Sequence, residues 1–111
     1  MADRFNEGIQ LFNAARYFDA HEAWEDEWRE SKDPERRWLQ GLTQAAVALH
    51  HRSTGNVVGA ISVMARSIVN LNTSPGHLRG VDIRQLRQDL ELALAELRSG
   101  NAEVRVTVHF V

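Results

Sequence analysis

Apolar residues return every three to four positions through five successive stretches of this chain, and only Pro34 and Pro75 interrupt it. That period is the turn of an α-helix, so each stretch owns one apolar side that it must bury on a neighbour. A first helix is expected from about Asp3 to Ala15, with Phe5, Ile9, Leu11 and Phe12 inward. Arg16-Tyr17 turns the chain, and a second helix carries Phe18 to about Glu30. Asp33 then suits the N-cap, and Pro34 the first helical position, of a third helix reaching about Arg52. Its stripe is Trp38, Leu42, Ala45, Ala46 and Leu49, and Gly55 suits its C-terminal cap. A fourth helix covers about Asn56 to Asn70 on Val58, Ile61, Ala65 and Ile68. After the loop Thr73-Ser74-Pro75-Gly76-His77, a fifth starts at Asp82, with Gln85 completing a capping-box-like start, and ends at Gly100.

Five helices on short loops make an all-α, compact bundle built from helical hairpins, one domain over residues 1–111, with the bundle in 1–100. Ala15 to Ala20 and Gly55 to Ala60 occupy the same place in two similar hairpins, an echo of tetratricopeptide-type units. Two units fall short of the three a solenoid usually needs, which favours a compact bundle. Residues 101–111 break the pattern. Val104 to Val111 alternates apolar and polar residues and is rich in β-branched types, the signature of a strand. No other segment looks like its partner, so this extended tail is expected to pair with its equivalent in a homodimer or to lie across the bundle.

Thirteen basic and fifteen acidic residues leave a net charge of -2, no footprint for nucleic acid or an anionic membrane. Cysteine is absent, which removes disulfides, thiolate metal sites and a cysteine nucleophile together. There is no apolar signal region and no membrane-length apolar run, so a cytoplasmic protein is expected.

The chemistry concentrates on the second helix. At about 100° per residue, Tyr17, Phe18, His21, Trp24, Glu25 and Trp28 share one broad side, while Glu22, Asp26, Arg29 and Glu30 fall mostly on the other. His21 and Glu25 lie one turn apart and can address the same object. On the third helix Gln40, Gln44 and His51 form a polar stripe beside Gly41 and Ala48, as at a close helix contact crossed by side-chain hydrogen bonds. If the second helix packs there, Gln44 and His51 meet Glu25 and His21 in one semi-buried cluster walled by Trp24, Trp28 and Trp38.

Three uses remain open for such a cluster. It can fix the register of two helices. It can bind a small ligand, with the tryptophans as walls. It can hold a divalent transition metal through His21, Glu25 and His51, with Glu22 or Glu25 as base in a hydrolase-like enzyme. His50 and His77 are further candidate ligands, although adjacent His50 and His51 point about 100° apart. His109 and the acidic run Glu22, Asp26, Glu27 and Glu30 read as solvated. No serine or threonine sits in a recognisable nucleophile elbow.

Tyr17-Phe18-Asp19-Ala20-His21-Glu22-Ala23-Trp24-Glu25 followed by Trp28-Arg29 resembles the domain of unknown function 309 family. Leu39-Gln40-Gly41-Leu42-Thr43-Gln44-Ala45-Ala46 with His51, then Gly55-Asn56 and Gly80-Val81-Asp82, extend the likeness over about residues 5–98. The resemblance implies a small, all-helical prokaryotic protein and no particular activity. The signature positions are His21, Glu22, Trp24, Glu25, Trp28, Arg29, Gln40, Gly41 and Gln44, and the tail after residue 103 lies outside the pattern. The leading expectation is a binding or scaffold module with an unidentified ligand; the rival is the metal-dependent enzyme.

Overall fold

A computed structural model describes residues 3–101 and 105–110. Among them the chain forms α1 (Arg4–Asn13), α2 (Tyr17–Glu30), α3 (Glu35–Ser53), α4 (Val57–Leu71), β1 (His77–Leu78), β2 (Val81–Asp82) and α5 (Ile83–Arg98). The all-α bundle is the observed architecture, with a radius of gyration of 12.7 Å, close to the roughly 13 Å of a compact chain this long. Each helix packs mainly on its neighbours in the chain, α1 on α2, α2 on α3, α3 on α4 and α4 on α5. No helix among the described residues is long and apolar enough to cross a membrane.

The helix ends follow the sequence with informative exceptions. Asp3 caps α1 by accepting from the Asn6 amide at 3.2 Å, Asn56 caps α4 from Gly59 at 2.9 Å and Asp82 caps α5 from Gln85 at 3.0 Å. Each removes one of the unpaired amide donors of a first turn. The reciprocal half of a capping box is missing at α5, because the Gln85 side chain donates forward to Asp89 at 2.9 Å. At α3 the expected Asp33 cap is replaced: Pro34 occupies the cap position, no side chain caps the helix, and the first helical residue is Glu35.

Both hairpins turn through the same backbone device. At the α1–α2 joint the Arg16 amide donates to Leu11 O at 2.9 Å and Ala15 to Phe12 O at 3.0 Å; at the α3–α4 joint Asn56 donates to His51 O at 2.8 Å and Gly55 to Arg52 O at 3.1 Å. This paired closure needs a residue in the left-handed region, supplied by Ala15 at φ 62° and Gly55 at φ 86°.

The loop before α5 holds a two-residue hairpin where the sequence suggests only a loop. His77 pairs with Asp82 and Leu78 with Val81, around Arg79 and Gly80 at φ 50° and 83°. Positive φ at both turn residues is the twist that closes a tight hairpin. Arg79 is held there by Glu35 at 2.7 Å and Glu27 at 3.2 Å, with its guanidinium 5.0 Å from the centre of the Phe5 ring. The hydrogen bond to Glu35, then that to Glu27, raises the Arg79 pKa above its ordinary value against the opposing effect of partial burial. The hairpin is thereby pinned to the α2–α3 turn.

Within the single chain the tail lies extended across its own bundle, one of the two placements expected for it. The Asn13 side chain acts as a strand edge, donating to Val108 O at 2.8 Å and accepting from Val108 N at 2.7 Å. The Asp82 amide donates to His109 O at 2.8 Å, and Val81 bridges Phe110. So a partner strand does exist within the chain, and it is β2. Val106 and Val108 are buried in the same core as Phe5, Trp24, Leu49 and Leu90. Val104 and Val111, the ends of the expected strand, lie outside the described residues.

Candidate functional site

The broad side of α2 divides in two. Tyr17, Ala20, Ala23 and Trp24 are buried. Trp24 packs on Phe12 at 5.5 Å between ring centres and donates its indole N–H to Phe5 O at 3.0 Å. It is therefore core between α1 and α2, not a pocket wall. The reason is angular: consecutive residues stand about 100° apart, so when Trp24 faces the core its neighbour Glu25 is carried toward the rim.

Along that rim runs a ladder. His21 Nε2 meets Glu25 Oε2 at 2.9 Å, and Arg29 donates to Glu25 Oε1 at 2.8 Å. The His21 and Glu25 side chains keep 25% and 30% of their accessible surface, so water screens the contact and it is worth at most about 1 kcal/mol. Beside it lies a cleft of about 170 Å³ lined by Phe18, His21, Val47 and His50. The Phe18 ring stands 5.8 Å from His21 and 5.4 Å from His50, and Phe18 is 52% exposed.

The third-helix stripe does not join this ladder. Gln44 accepts from the Asn70 amide of α4 at 2.7 Å. His51 Nδ1 stands 3.4 Å from Asn56 Nδ2 at the α3–α4 joint, while the Asn56 oxygen accepts from Gly59. Both residues serve the second hairpin because Gly41 lets α4 approach that part of α3: a methyl at Gly41 would stand 2.8 Å from Leu71 Cγ. The expected single cluster of His21, Glu25, Gln44 and His51 is thus two separate arrangements. The expected metal trio of His21, Glu25 and His51 is not assembled, and among the described residues no three His, Asp or Glu gather as a metal would require. Glu22 is exposed, with no hydrogen bond or ion pair to a described residue. His77 lies on β1, and Trp38 packs half-buried against the core.

At the other end of the α2–α3 seam, Trp28, Asp33, Arg36, Arg37, Gln40 and Asn70 line a recess of about 380 Å³. The Arg36 guanidinium lies 4.4 Å from the centre of the Trp28 ring, and Arg37 Nε donates to Asn70 Oδ1 at 3.0 Å. Trp28 and Gln40 belong to the expected set; Arg36, Arg37, Asn70 and Val47 do not. Asn70, a polar residue in the last turn of α4, is the clue that the sequence offers to the recess.

Fold and site together define a helical-hairpin bundle whose described residues leave small clefts at either end of the α2–α3 seam. A family model described as domain of unknown function (DUF309) matches residues 5–63, and the chain belongs to that family. The match ends within α4, short of the 5–98 span expected from the motifs. The crystal structure of the conserved hypothetical protein TTHA0068 from Thermus thermophilus is similar at a TM-score of 0.73 and 33% identity, covering 86% of this chain and 99% of that one. An uncharacterized protein of Aquifex aeolicus (strain VF5) is 29% identical over 101 residues, 90% of this chain and 30% of its own length. The uncharacterized protein YpuF of Bacillus subtilis (strain 168) is 44% identical over 59 residues, 51% of this chain and 34% of its own. The chain therefore spans about a third of the length of these curated relatives.

Proposed function

We propose that this domain is a binding module, and that the α2–α3 cleft receives one apolar side chain of a partner polypeptide. The observation that carries the reading is the half-exposed Phe18 ring set between two imidazoles over Val47. A large aromatic left open at a concave site is a feature of recognition surfaces. Size selects the guest: about 170 Å³ is well below the roughly 300–1,000 Å³ of sites for drug-sized ligands and suits a single side chain. The His21–Glu25–Arg29 ladder supplies a polar rim beside it. In the longer relatives a domain of this kind accompanies other sequence, as an interaction module would.

N-acetyl-phenylalaninamide and N-acetyl-leucinamide, titrated into the full chain by amide NMR, test the cleft. Shifts centred on Phe18, His21, Val47 and His50, and abolished by Val47→Trp, are expected. Shifts spread elsewhere would count against the cleft. Stoichiometric zinc uptake that is lost in a folded His21→Ala variant would instead favour the metal-dependent enzyme. Association of two copies through the tail is a further proposal. Light scattering should then show a dimer that becomes a monomer on deletion of residues 103–111; a monomeric full chain would dismiss it. The proposal also expects a cytoplasmic location, which cell fractionation tests.

A further inference from the structure

The 380 Å³ recess at the opposite end of the seam differs in kind from the apolar cleft. Its volume falls within the range of small-molecule sites, and its lining is mostly polar side chains. Elsewhere Arg4, Arg16, Arg29 and Arg79 lie within ion-pair distance of carboxylates, while Arg66 and Arg105 bond neutral oxygens singly; Arg36 and Arg37 stand together in one recess. Arg36 and Arg37 have no carboxylate within ion-pair distance among the described residues. Both are instead held by neutral groups. Arg36 lies over the Trp28 ring, an arrangement that fixes the plane of a guanidinium and leaves its N–H edges available. Arg37 is held only at Nε, by an amide relay in which Gln44 Oε1 accepts from Asn70 Nδ2 and Asn70 Oδ1 accepts from Arg37. Its two terminal nitrogens keep their donors. Gln40 adds an amide that no described residue engages, and Trp28 carries a buried indole N–H without an acceptor among the described residues.

Orienting two guanidiniums with neutral partners preserves their charge for something else. The one acid at the recess, Asp33, offsets a single positive charge and leaves an excess. We propose that this recess binds a small organic molecule through an oxyanion headgroup, a phosphate ester or a carboxylate, engaged by Arg36 and Arg37 with Gln40 alongside. Guanidinium forks match both headgroups in geometry. Gln44 is a positioning residue, acting on the ligand only through Asn70 and Arg37.

Calorimetric titration of the full chain with phenyl phosphate, benzoate and inorganic phosphate, followed in parallel by the Trp28 indole N–H signal in NMR, tests this. Saturable binding of at least one organic anion with a dissociation constant below about 1 mM is expected. Arg37→Gln should weaken it at least tenfold, and Gln40→Ala and Gln44→Leu by smaller factors, with unchanged melting of Arg37→Gln and Gln40→Ala showing that the fold is intact. The stronger organic arm identifies the headgroup; inorganic phosphate alone matching it would mean an adventitious ion only and overturn the proposal. Shifts spread evenly over Arg16, Arg66 and Arg84, or indifferent to Arg37→Gln, would do the same. So would a single-stranded oligonucleotide binding more than tenfold tighter than phenyl phosphate through Arg37.

Discussion

The two helical hairpins use one architecture with different side chains, and the difference separates what makes a hairpin from what makes a site. In each, the helix ends on the same pair of backbone hydrogen bonds about a left-handed residue, Ala15 in α1–α2 and Gly55 in α3–α4. In each, a glycine lets the helices approach. Gly8 sits under the Trp24 indole, whose N–H is already committed to Phe5 O. Gly41 sits under Leu71, with Ser67 Oγ donating to Gly41 O at 2.6 Å. The first hairpin closes on a rigid aromatic plate, the second on a flexible aliphatic side chain and a hydroxyl. The polar residues that look functional are distributed around these closures. His21, Glu25 and Arg29 line the rim of the first hairpin, while Gln44, Asn70 and His51 serve the second.

The sharpest way to break that comparison is Gly8→Ala against Gly41→Ala. A methyl at Gly8 would overlap Nε1 and Cδ1 of Trp24, and a fused ring cannot turn aside within one rotamer. A loss of roughly 3 kcal/mol or more is expected for Gly8→Ala in denaturant unfolding. Leu71 can give way more easily, and alanine favours a helix by about 1 kcal/mol over glycine, so Gly41→Ala should cost roughly 1–2 kcal/mol. Equal losses would mean that the two closures are mechanically alike.

The joints come next. Ala15 bears the left-handed conformation with a Cβ, and Gly55 without one. Ala15→Gly should therefore raise stability by about 0.5–1 kcal/mol, and Gly55→Ala should lower it by about 1 kcal/mol. A change of about 1 kcal/mol moves the melting temperature by about 4–8 °C in a domain of this size. Two shifts of the same sign would show that the joints are not equivalent.

The smallest effect belongs to the residue that draws most notice in the sequence. His21→Ala removes a partly exposed contact to Glu25 and should change stability by less than about 1 kcal/mol. A loss of roughly 3 kcal/mol would reveal a buried network in the first hairpin after all.

Much of the fold was legible. The spacing of Phe5, Ile9 and Phe12, of Leu42, Leu49 and the alanines between them, and of Leu86, Leu90 and Leu97 reports burial on one side of a helix, and all of these residues are in the core. The stripe expected on α4 is displaced: Val58 is 82% exposed, and Ala60, Met64, Ile68 and Leu71 are buried. The starts at Asp3, Asn56 and Asp82 were legible because a short side chain there reaches an amide of the first turn, whereas Asp33, the same kind of signal, does not cap α3. The Arg79-Gly80 hairpin was less so, because only Gly80 signals positive φ and the carboxylates that hold Arg79 come from α2 and α3.

The site was legible only as a set of residues. Projection placed His21 and Glu25 on one face of α2, and they are in contact there. It could not say that Gln44 turns to Asn70 and His51 to Asn56, because a stripe on α3 is open to either neighbouring helix. Gly41, by admitting Leu71, commits part of it to α4. The local sequence thus determined which segments are helices, about where they stop and, α4 excepted, which side of each is apolar, all properties of contacts within a few residues. Tertiary structure alone decided which polar groups meet, how the tail closes on Asn13 and β2, and that Arg36 and Arg37 share a recess away from the His21 ladder. Those outcomes depend on helix approach, and approach is set by how small residues on one helix accept large ones from another.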